Sequence, residues 1–561
     1  MRFPGEDTLS RFDTVSFDIF DTLIRRPFME PTEVFGYIEN RFSAEGFRKA
    51  RVKAERESRR GKDRDVTLDE IYSCLPGKFR HLKDAECKTE IRVCRPDPHM
   101  SCLAKKLKTQ GKRVVFTSDM YLPRNVVEGI VDNCGYSDVC DRLFLSSDTG
   151  DTKYNGRLFK TVLKELGIEP SQLAHVGDNK HSDHDVPTSM GISAFLCSEK
   201  SSRHRPFPFV MDQNMTSSVL CATYRLVPEG ENDWYSLGWR FGGPLLSSYV
   251  SFLEKNRDPD SKVLYVARDG YPVMEYLGKK GVDGSYVHAQ RIMALSLSED
   301  VLPYDSLPQM SHALERRNRT RDIRTMLRFI GFGDVDEGDD ATVMKNYGDR
   351  IEEVGEVRRK AMERFSSDLR RECGDKPVEL ADCTTMKYTS QRFVEEALGR
   401  SVTGNYVVTL RECDDLRYRS MHSKKGPMLG WNRVNFPEFF FCSPETPLKG
   451  WSDGPVYDDD PPGWEKERAE NFGDLLRGMI DYAHEMDDMF PDGFPEADYR
   501  TLADWSILSR GKFGYPDIIR RMKWASDPDH GEWNYLSPRP SEFPTVVKRL
   551  ATGAANWVFR W

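Results

Sequence analysis

The sequence predicts an α/β protein with a Rossmann-like parallel sheet, an inserted helical cap and a second C-terminal α/β region. From residue 14 to residue 197, short apolar runs alternate with stretches of helical length, which is typical of βα units. A largely helical stretch from 31 to about 100 interrupts this alternation after the first run. The alternation resumes near residue 262, and this second series of strands indicates the C-terminal region.

The predicted elements of the first region follow one another in a regular order. TVSFDIFDTLI, residues 14–24, is a buried strand that ends in acid at Asp18. Within the cap, Thr67 and Glu70 have the spacing of a capping box at a helix start. The later strands are predicted in KRVVFTSDM, DRLFLSS, LAHVGD and GISAFL, with helices in PRNVVEGIVDNCGY and GRLFKTVLKELGI. Right-handed crossovers would place the carboxyl ends of all these strands along one edge of the sheet.

Composition shifts suggest the domain boundaries. The first domain is expected to span 1–205 with its cap at about 28–100, and the Pro- and Ser-containing stretch 206–232 is expected to be a linker. The remaining residues, 233–561, begin with a helical pattern and form the second region, whose role the sequence leaves open. Its candidate strands are KVLYVARDGYPV, PVELADCTT, GNYVVTL and EFFFCS.

Composition also limits the classes of partner. The net charge of -8 gives no support for nucleic-acid binding as the main role. No apolar run of about 18 residues occurs, so no membrane span is expected. The twelve cysteines include no CxxC pair, which predicts reduced thiols in a cytoplasmic protein.

Reactive side chains follow the predicted strands. Asp18 can attack a phosphoryl group and form an aspartyl phosphate. A carboxylate repels a phosphate dianion, and Mg²⁺ removes that repulsion while binding carboxylates such as Asp178 and Asp183. Lys153 can neutralise the transferred group, and Ser118 can donate a hydrogen bond to it. Taken singly, each of these residues more often has a structural role, as a helix cap, a turn residue or a solvated side chain. The prediction of an active site therefore depends on all of them occurring in this order.

The stretches FDIFDTL, FTSDMYL, DTKYNGRLF and HVGDNKHSDHD, in this order, resemble the haloacid dehalogenase (HAD) superfamily of hydrolases over residues 14–197. The resemblance implies a Mg²⁺-dependent phosphatase with a HAD-like core and a substrate-selecting cap. It implies that Asp18 is the nucleophile and a metal ligand, that Lys153 balances charge, and that Ser118 or Thr117 binds phosphate. Asp178 and Asp183 would lie near the metal. Further candidate substrate-binding residues are Asp119 and Thr22.

One departure from the family pattern concerns acid catalysis. Most phosphatases of the superfamily have a second aspartate two residues after the nucleophile, where this chain has Phe20. The Phe20 carbonyl can still bind the metal, because a backbone oxygen does not depend on the side chain. Asp21, one residue later, is the candidate substitute for the missing acid. Alternatively, the substrate needs little help from an acid.

The exact residues of these motifs are also similar to those of a narrower group, the large bacterial HAD hydrolases that are linked to surface-polysaccharide synthesis. In the second region, YVARDGY places Ala267 where a nucleophilic aspartate would stand. One interpretation is a degenerate HAD-like domain whose Arg268 and Arg291 contact an anionic ligand. The alternatives are a purely structural domain and an independent transferase site.

Three hypotheses about function remain open from the sequence. The first is a Mg²⁺-dependent phosphatase that acts on a small phosphorylated metabolite such as a sugar phosphate. The second is a protein that binds a phosphorylated ligand or acts as a scaffold, since the acid at Phe20 is missing. The third is a dehalogenase-like hydrolase that needs no metal. The sequence does not predict the oligomeric state.

Overall fold

The computed structural model describes residues 5–197, 214–298, 313–385, 387–423, 435–451 and 454–493, with Leu502 and the short stretches 523–524 and 534–535. The chain divides into two compact units. The first contains Met1–Glu231 and His484–Pro495, and the second contains Asn232–Ala483 and Glu496–Trp561. Both units are built on parallel sheets, as the strand-helix alternation predicts.

In the first unit, five of the described strands form one parallel sheet in the order β5-β4-β1-β6-β7. The central strand β1 is buried along its whole length, with Val15 and Phe17 fully inaccessible to solvent. A short antiparallel pair, β2 with β3, stands apart from this sheet. The strands are β1 (Thr14–Phe17), β2 (Ile24–Arg25), β3 (Arg95–Pro96), β4 (Arg113–Ser118), β5 (Arg142–Leu145), β6 (Leu173–Gly177) and β7 (Ser193–Leu196).

The helices of the first unit fall into two sets. Those between β2 and β3 lie in the segment predicted as a cap, and the others connect the strands of the sheet, apart from one that precedes β1 and one that follows β7. The helices are α1 (Glu6–Leu9), α2 (Glu33–Arg41), α3 (Phe47–Arg59), α4 (Leu68–Ser73), α5 (Lys83–Val93), α6 (Pro98–Thr109), α7 (Arg124–Asn133), α8 (Ser146–Thr149), α9 (Arg157–Leu166), α10 (Val186–Ser189) and α11 (Met215–Thr223). The predicted capping box is present at the start of α4, where Thr67 and Glu70 exchange hydrogen bonds.

A buried ion pair and a hydrogen bond link three helices of the cap segment. Arg51 of α3 and Glu86 of α5 are fully buried and joined by a salt bridge of 2.8 Å. Tyr72 of α4 donates a hydrogen bond of 2.8 Å to the same carboxylate. Because an unpaired buried charge is costly, these contacts favour one arrangement of the three helices.

The stretch predicted as a linker is in part helical. Residues 206–213 lie outside the described residues, but α11 occupies Met215–Thr223. Its Ser218 hydroxyl donates to the Glu33 carboxylate and accepts a hydrogen bond of 2.8 Å from the amide of Met29. These contacts fix α11 against the cap segment of the first unit.

In the second unit, five of the described strands form a parallel sheet in the order β12-β11-β10-β8-β9. If the five strands are renumbered 1 to 5 along the chain and the sheet is read from β9 to β12, the order is 2-1-3-4-5. This is a doubly wound order, and it reverses between β8 and β10. The strands are β8 (Lys262–Val266), β9 (Gly284–Val287), β10 (Val378–Thr385), β11 (Thr403–Thr409) and β12 (Arg417–Ser423), and the short antiparallel pairs are β13 (Leu448–Trp451) with β14 (Pro455–Tyr457) and β15 (Lys523–Trp524) with β16 (Asn534–Tyr535).

The helices of the second unit include one that the sequence predicted as a strand. The stretch EFFFCS was a strand candidate, but Asn435–Phe440 is helical. Phe439, Phe440 and Phe441 are all buried, and a short, uniformly buried run has no period that separates strand from helix. The helices are α12 (Asp233–Leu237), α13 (Gly243–Asn256), α14 (Tyr271–Lys279), α15 (Arg291–Leu297), α16 (Ala313–Phe329), α17 (Asp340–Asp349), α18 (Ile351–Cys373), α19 (Thr389–Leu398), α20 (Asn435–Phe440) and α21 (Gly463–Met489), the last of which ends in the first unit.

Across the part of the chain that the structure describes, none of the helices combines the length and the apolar character that crossing a membrane requires.

Candidate active site

The candidate active site lies at the carboxyl ends of β1, β4 and β6. Phe17 is in register with Phe116 on one side and with Val176 on the other. The next residue, Asp18, still donates its backbone amide to the Val176 carbonyl at 2.9 Å. Since β1 is the strand at which the sheet order reverses, this edge is where doubly wound sheets bind ligands.

Three carboxylates converge at this edge, as the sequence predicts. Asp18, Asp178 and Asp183 each offer an oxygen, and these oxygens all lie within 4.8 Å of one another. Asp18 is 6% exposed and Asp183 only 1%, whereas Asp178 is half-buried. Hard oxygen ligands in this arrangement suit a divalent cation such as Mg²⁺.

Lys153 is the cation that the structure places among these carboxylates. Its Nζ lies 2.5 Å from Asp18 Oδ1 and 2.5 Å from Asp183 Oδ1. The loop that carries it is fixed by Asp119, whose carboxylate accepts from the backbone amides of Lys153 at 2.7 Å and Tyr154 at 3.3 Å. Asp119, predicted to bind substrate, therefore holds the lysine loop in place.

The electrostatics of the cluster follow from burial and from this lysine. Burial opposes the charge on Lys153, but the carboxylates of Asp18 and Asp183 outweigh it and raise the pKa of the lysine. Burial raises the pKa of Asp18 well above its usual value, and Asp183 and Asp178 add to this rise while Lys153 opposes it. With one ammonium among three carboxylates, the ionised site carries a charge of -2, which a divalent cation offsets.

The position of Asp183 depends on a glycine. A Cβ at Gly177 would lie 2.4 Å from Asp183 Cγ, so a larger residue would displace the carboxylate. Asn179 donates its backbone amide to Asp183 Oδ2 at 2.9 Å. Burial opposes ionisation of Asp183, but Lys153 and a hydrogen bond from His175 hold its pKa below the usual range. The carboxylate is therefore ionised and fixed, which suits it to cation binding.

The predicted hydroxyl groups have different contacts. Thr22 donates to Asp18 Oδ2 at 3.3 Å, and Thr117 Oγ1 lies 2.9 Å from Ser16 Oγ. Ser118, the last residue of β4, is 2% exposed. Thr22 and Thr117 therefore make contacts within the protein.

Sequence reasoning missed Ser16 and His175, which contact this site from within the strands. His175 Nδ1 is 2.9 Å from Ser16 Oγ, and its Nε2 is 3.2 Å from Asp183 Oδ1. Burial lowers the pKa of His175, which favours the neutral ring. The signal in the sequence was the presence of polar residues inside two central strands that are otherwise apolar.

Phe20 and Asp21, at the position of the missing acid, lie in a tight turn. The Phe20 side chain is 7% exposed and packs under the Arg26 guanidinium, 4.5 Å from the ring centroid. Arg26 is held by Glu90 at 2.8 Å. Asp21 has a φ of 61° and donates its amide to the Ile24 carbonyl at 2.9 Å, a left-handed conformation that aspartate tolerates better than most residues. The structure thus fixes an apolar side chain where an acid is common.

Comparison with known proteins shows what this part of the chain is similar to. Residues 12–183 match the family model for haloacid dehalogenase-like hydrolases. This part of the chain is therefore similar to haloacid dehalogenase-like hydrolases. A human relative, haloacid dehalogenase-like hydrolase domain-containing protein 3, is 30% identical over 92 residues, which are 16% of this chain and 36% of the relative. The chain thus spans about a third of that relative's length.

Solved structures similar to this chain include a dehalogenase and a phosphatase. The L-2-haloacid dehalogenase from Xanthobacter autotrophicus has 15% sequence identity and a TM-score of 0.28, and the alignment covers 39% of this chain and 90% of that protein. A HAD phosphatase from Thermococcus onnurineus has 18% identity and a TM-score of 0.26, with 34% of this chain and 89% of that protein covered.

Proposed function

We propose that the HAD-like domain is a Mg²⁺-dependent phosphatase that acts on a small phosphorylated metabolite, such as a sugar phosphate, through an aspartyl phosphate on Asp18. The observation that supports this most is the convergence of Lys153 with the carboxylates of Asp18, Asp178 and Asp183 at one sheet edge. Separately, each residue type has a structural explanation. Together they provide a nucleophile, an ammonium group that balances its charge and carboxylates that can bind a metal ion.

The proposed reaction has two steps. A carboxylate oxygen of Asp18 forms a bond to phosphorus while the bond between phosphorus and the leaving oxygen breaks, and water then hydrolyses the aspartyl phosphate. Lys153 holds Asp18 in place and balances its charge, and Ser118 donates a hydrogen bond to a phosphoryl oxygen. Mg²⁺, when bound, supplies the positive charge that lets a carboxylate approach a phosphate dianion. Asp18, Asp178, Asp183 and the Phe20 carbonyl are its proposed ligands.

The turn at Phe20 bears on the choice of substrate. Phe20 has no proton to give to the leaving oxygen, and its side chain is fixed under Arg26. A substrate whose leaving group is stable as an anion needs little help from an acid. We therefore expect aryl phosphates to be hydrolysed faster than alkyl phosphates, unless Asp21 supplies the proton.

The same turn supports a second candidate function. If no group supplies the proton, the domain would bind a phosphorylated ligand with Mg²⁺ without cleaving it. This candidate predicts tight, Mg²⁺-dependent binding and no product over hours.

A panel of phosphomonoesters, assayed with Mg²⁺ and with EDTA, tests these alternatives. Asp18→Asn removes the nucleophile with little change in shape, and Asp13→Asn is a matched control at an exposed carboxylate that precedes β1. We expect turnover in the wild type and in Asp13→Asn, and none in Asp18→Asn or in EDTA. Unchanged turnover in Asp18→Asn would remove Asp18 as nucleophile. Turnover that resists EDTA would favour the metal-independent, dehalogenase-like hydrolase.

A further inference from the structure

A line of buried polar side chains runs beneath the candidate active site and crosses three strands. It connects Thr117 on β4, Ser16 on β1, His175 on β6 and finally Asp183. All four residues are at most 1% exposed. Polar groups this deep are expensive to bury unless each finds a partner, so the line is a specific arrangement.

The hydrogen-bond direction along this line follows from its two ends. An ionised carboxylate only accepts, so the His175 Nε2–H donates to Asp183. In a neutral ring Nδ1 then accepts, and its donor is the Ser16 hydroxyl, 2.9 Å away. Ser16 in turn accepts from the Thr117 hydroxyl, at 2.9 Å. Each hydroxyl proton in the line is therefore already used.

We propose that His175 is a positioning residue that orients Asp183 for cation binding, an inference that rests on the phosphatase function proposed above. Asp183 Oδ1 receives Lys153 at 2.5 Å and His175 at 3.2 Å, and Oδ2 receives the Asn179 amide at 2.9 Å. Lys153 also holds Asp18. His175 thus stabilises one carboxylate directly and, through the shared lysine, the geometry between that carboxylate and the nucleophile.

The line also distinguishes between the two candidate phosphate-binding hydroxyls. Thr117 gives its proton to Ser16, so it has none left to donate to a phosphoryl oxygen. Ser118, one residue further along β4, therefore remains the proposed donor to the substrate. Thr117 belongs instead to the support that sets the tautomer of His175.

Two substitutions at His175 separate its two contacts. In His175→Gln the amide nitrogen reaches roughly as far as Nε2, so a donor to Asp183 is retained. In His175→Asn the amide reaches only as far as Nδ1, so the contact with Ser16 is retained and the donor to Asp183 is lost. His81→Asn, at an exposed histidine, is the matched control. Mn²⁺ affinity, measured by calorimetry on the full chain, is the readout, with circular dichroism to verify folding.

We expect His175→Asn to bind Mn²⁺ about 10- to 100-fold more weakly than the wild type, which is the usual effect of losing a group that orients a metal ligand. His175→Gln and His81→Asn should stay close to the wild type. Equal affinity in folded His175→Asn and His175→Gln would overturn the role of His175. Absence of Mn²⁺ binding by the wild type would instead overturn the proposed metal-dependent function.

Ser16→Ala provides a smaller change that tests the same line if the His175 variants unfold. It removes the hydroxyl that fixes the tautomer of His175, and we expect a several-fold loss of Mn²⁺ affinity. Wild-type affinity in a folded Ser16→Ala protein would overturn the hydrogen-bond direction described above.

Discussion

The two parallel sheets of this protein place carboxylates after central strands, but they balance the charges differently. At the first sheet, Lys153 contacts both Asp18 and Asp183 at 2.5 Å. At the second sheet, the acids after β8 and on β10 are Asp269 and Asp382. Arg268, next to Asp269 in sequence, pairs with the buried Glu465 and donates to the Glu445 carbonyl at 3.1 Å.

The two edges differ in the pKa of Asp183, whereas burial raises the pKa of Asp18 as it raises the pKa values of the acids at the second sheet. At the first sheet, Lys153 and His175 overcome burial and hold the pKa of Asp183 below its usual range. At the second, burial raises the pKa of Asp382 to about 7, and burial, Glu438 and Asp382 raise the pKa of Asp269 well above its usual value. Among the described residues, the acids that can hold a metal ion together are those of the first sheet. At the first sheet the surrounding groups thus keep Asp183 ionised, and the fold brings the three carboxylates close enough to hold a cation together.

The role predicted for Arg268 in anion binding has less support from this arrangement. Glu465 is 1% exposed and also pairs with Arg468 at 2.9 Å, so the three residues form a buried ion-pair cluster. Arg291, the other candidate, lies on the exposed surface at the start of α15. The contacts of Arg268 give it a structural role within the second unit, and the function of that unit stays a prediction.

The largest difference between the two edges should appear in turnover. Asp18→Asn removes the proposed nucleophile, and we expect phosphomonoester hydrolysis to fall by roughly four orders of magnitude. Asp269→Asn and Asp382→Asn should leave turnover close to the wild type, because these acids lie at the other sheet. Steady-state kinetics on one aryl phosphate measures all three. A comparable loss in Asp269→Asn would show that the second sheet takes part in the reaction.

Removal of the basic side chain at each edge should separate effects on stability from effects on activity. Lys153→Met and Arg268→Met each remove a cation that pairs with a buried carboxylate, which costs about 3–5 kcal/mol of unfolding free energy. The loss of unfolding free energy in Arg268→Met should lie at the low end of this range, since Arg468 remains beside Glu465. Urea denaturation in EDTA measures both changes. We expect turnover to be lost in Lys153→Met alone among the variants that remain folded, and equal turnover in both would contradict the proposed site.

Metal binding should stabilise the first unit selectively. At a Mg²⁺ concentration 100-fold above the dissociation constant, a site present only in the folded state adds about 2.7 kcal/mol. Hydrogen exchange followed by mass spectrometry should show slower exchange in peptides from β1 and β6 and no change in β10. Asp178→Asn should abolish the effect. Protection that appears in β10 as well would mean that the metal also stabilises the second unit.

The pH dependence of stability should have opposite signs for Asp382 and Asp183. The folded-state pKa of Asp382 is about 7, against 3.8 for an ordinary aspartate. The folded protein therefore binds more protons in this range, and the contribution of Asp382 falls as pH rises from about 4 to 7. The pKa of Asp183 is lowered, so its contribution is present above the unfolded value and is lost in acid.

Denaturation curves from pH 4 to 8 test this smallest effect. Asp382→Asn should flatten the decline in stability that the wild type shows over that interval. His81→Asn, which changes an exposed side chain, should leave the decline unchanged. A wild-type curve that rises with pH through this interval would contradict the assigned direction.

The sequence by itself determined the local features of this protein. Apolar runs that end in Asp18, Ser118 and Asp178 predicted strands with reactive groups at one edge. The spacing of Thr67 and Glu70 predicted a helix start. These signals are available because strand burial and helix capping depend on residues close together along the chain. The family resemblance over 14–197 agreed with them.

Only the tertiary structure decided which side chains touch. Ser16 and His175 are 159 residues apart, and their contact depends on the registers of β1 and β6. The bridge made by Lys153 and the packing of Phe20 under Arg26 depend in the same way on distant elements. The helix at Asn435–Phe440 likewise follows from burial on all sides, which leaves no periodic signal. Local pattern fixes what a segment can form, whereas side-chain contacts between distant segments decide the chemistry of the site.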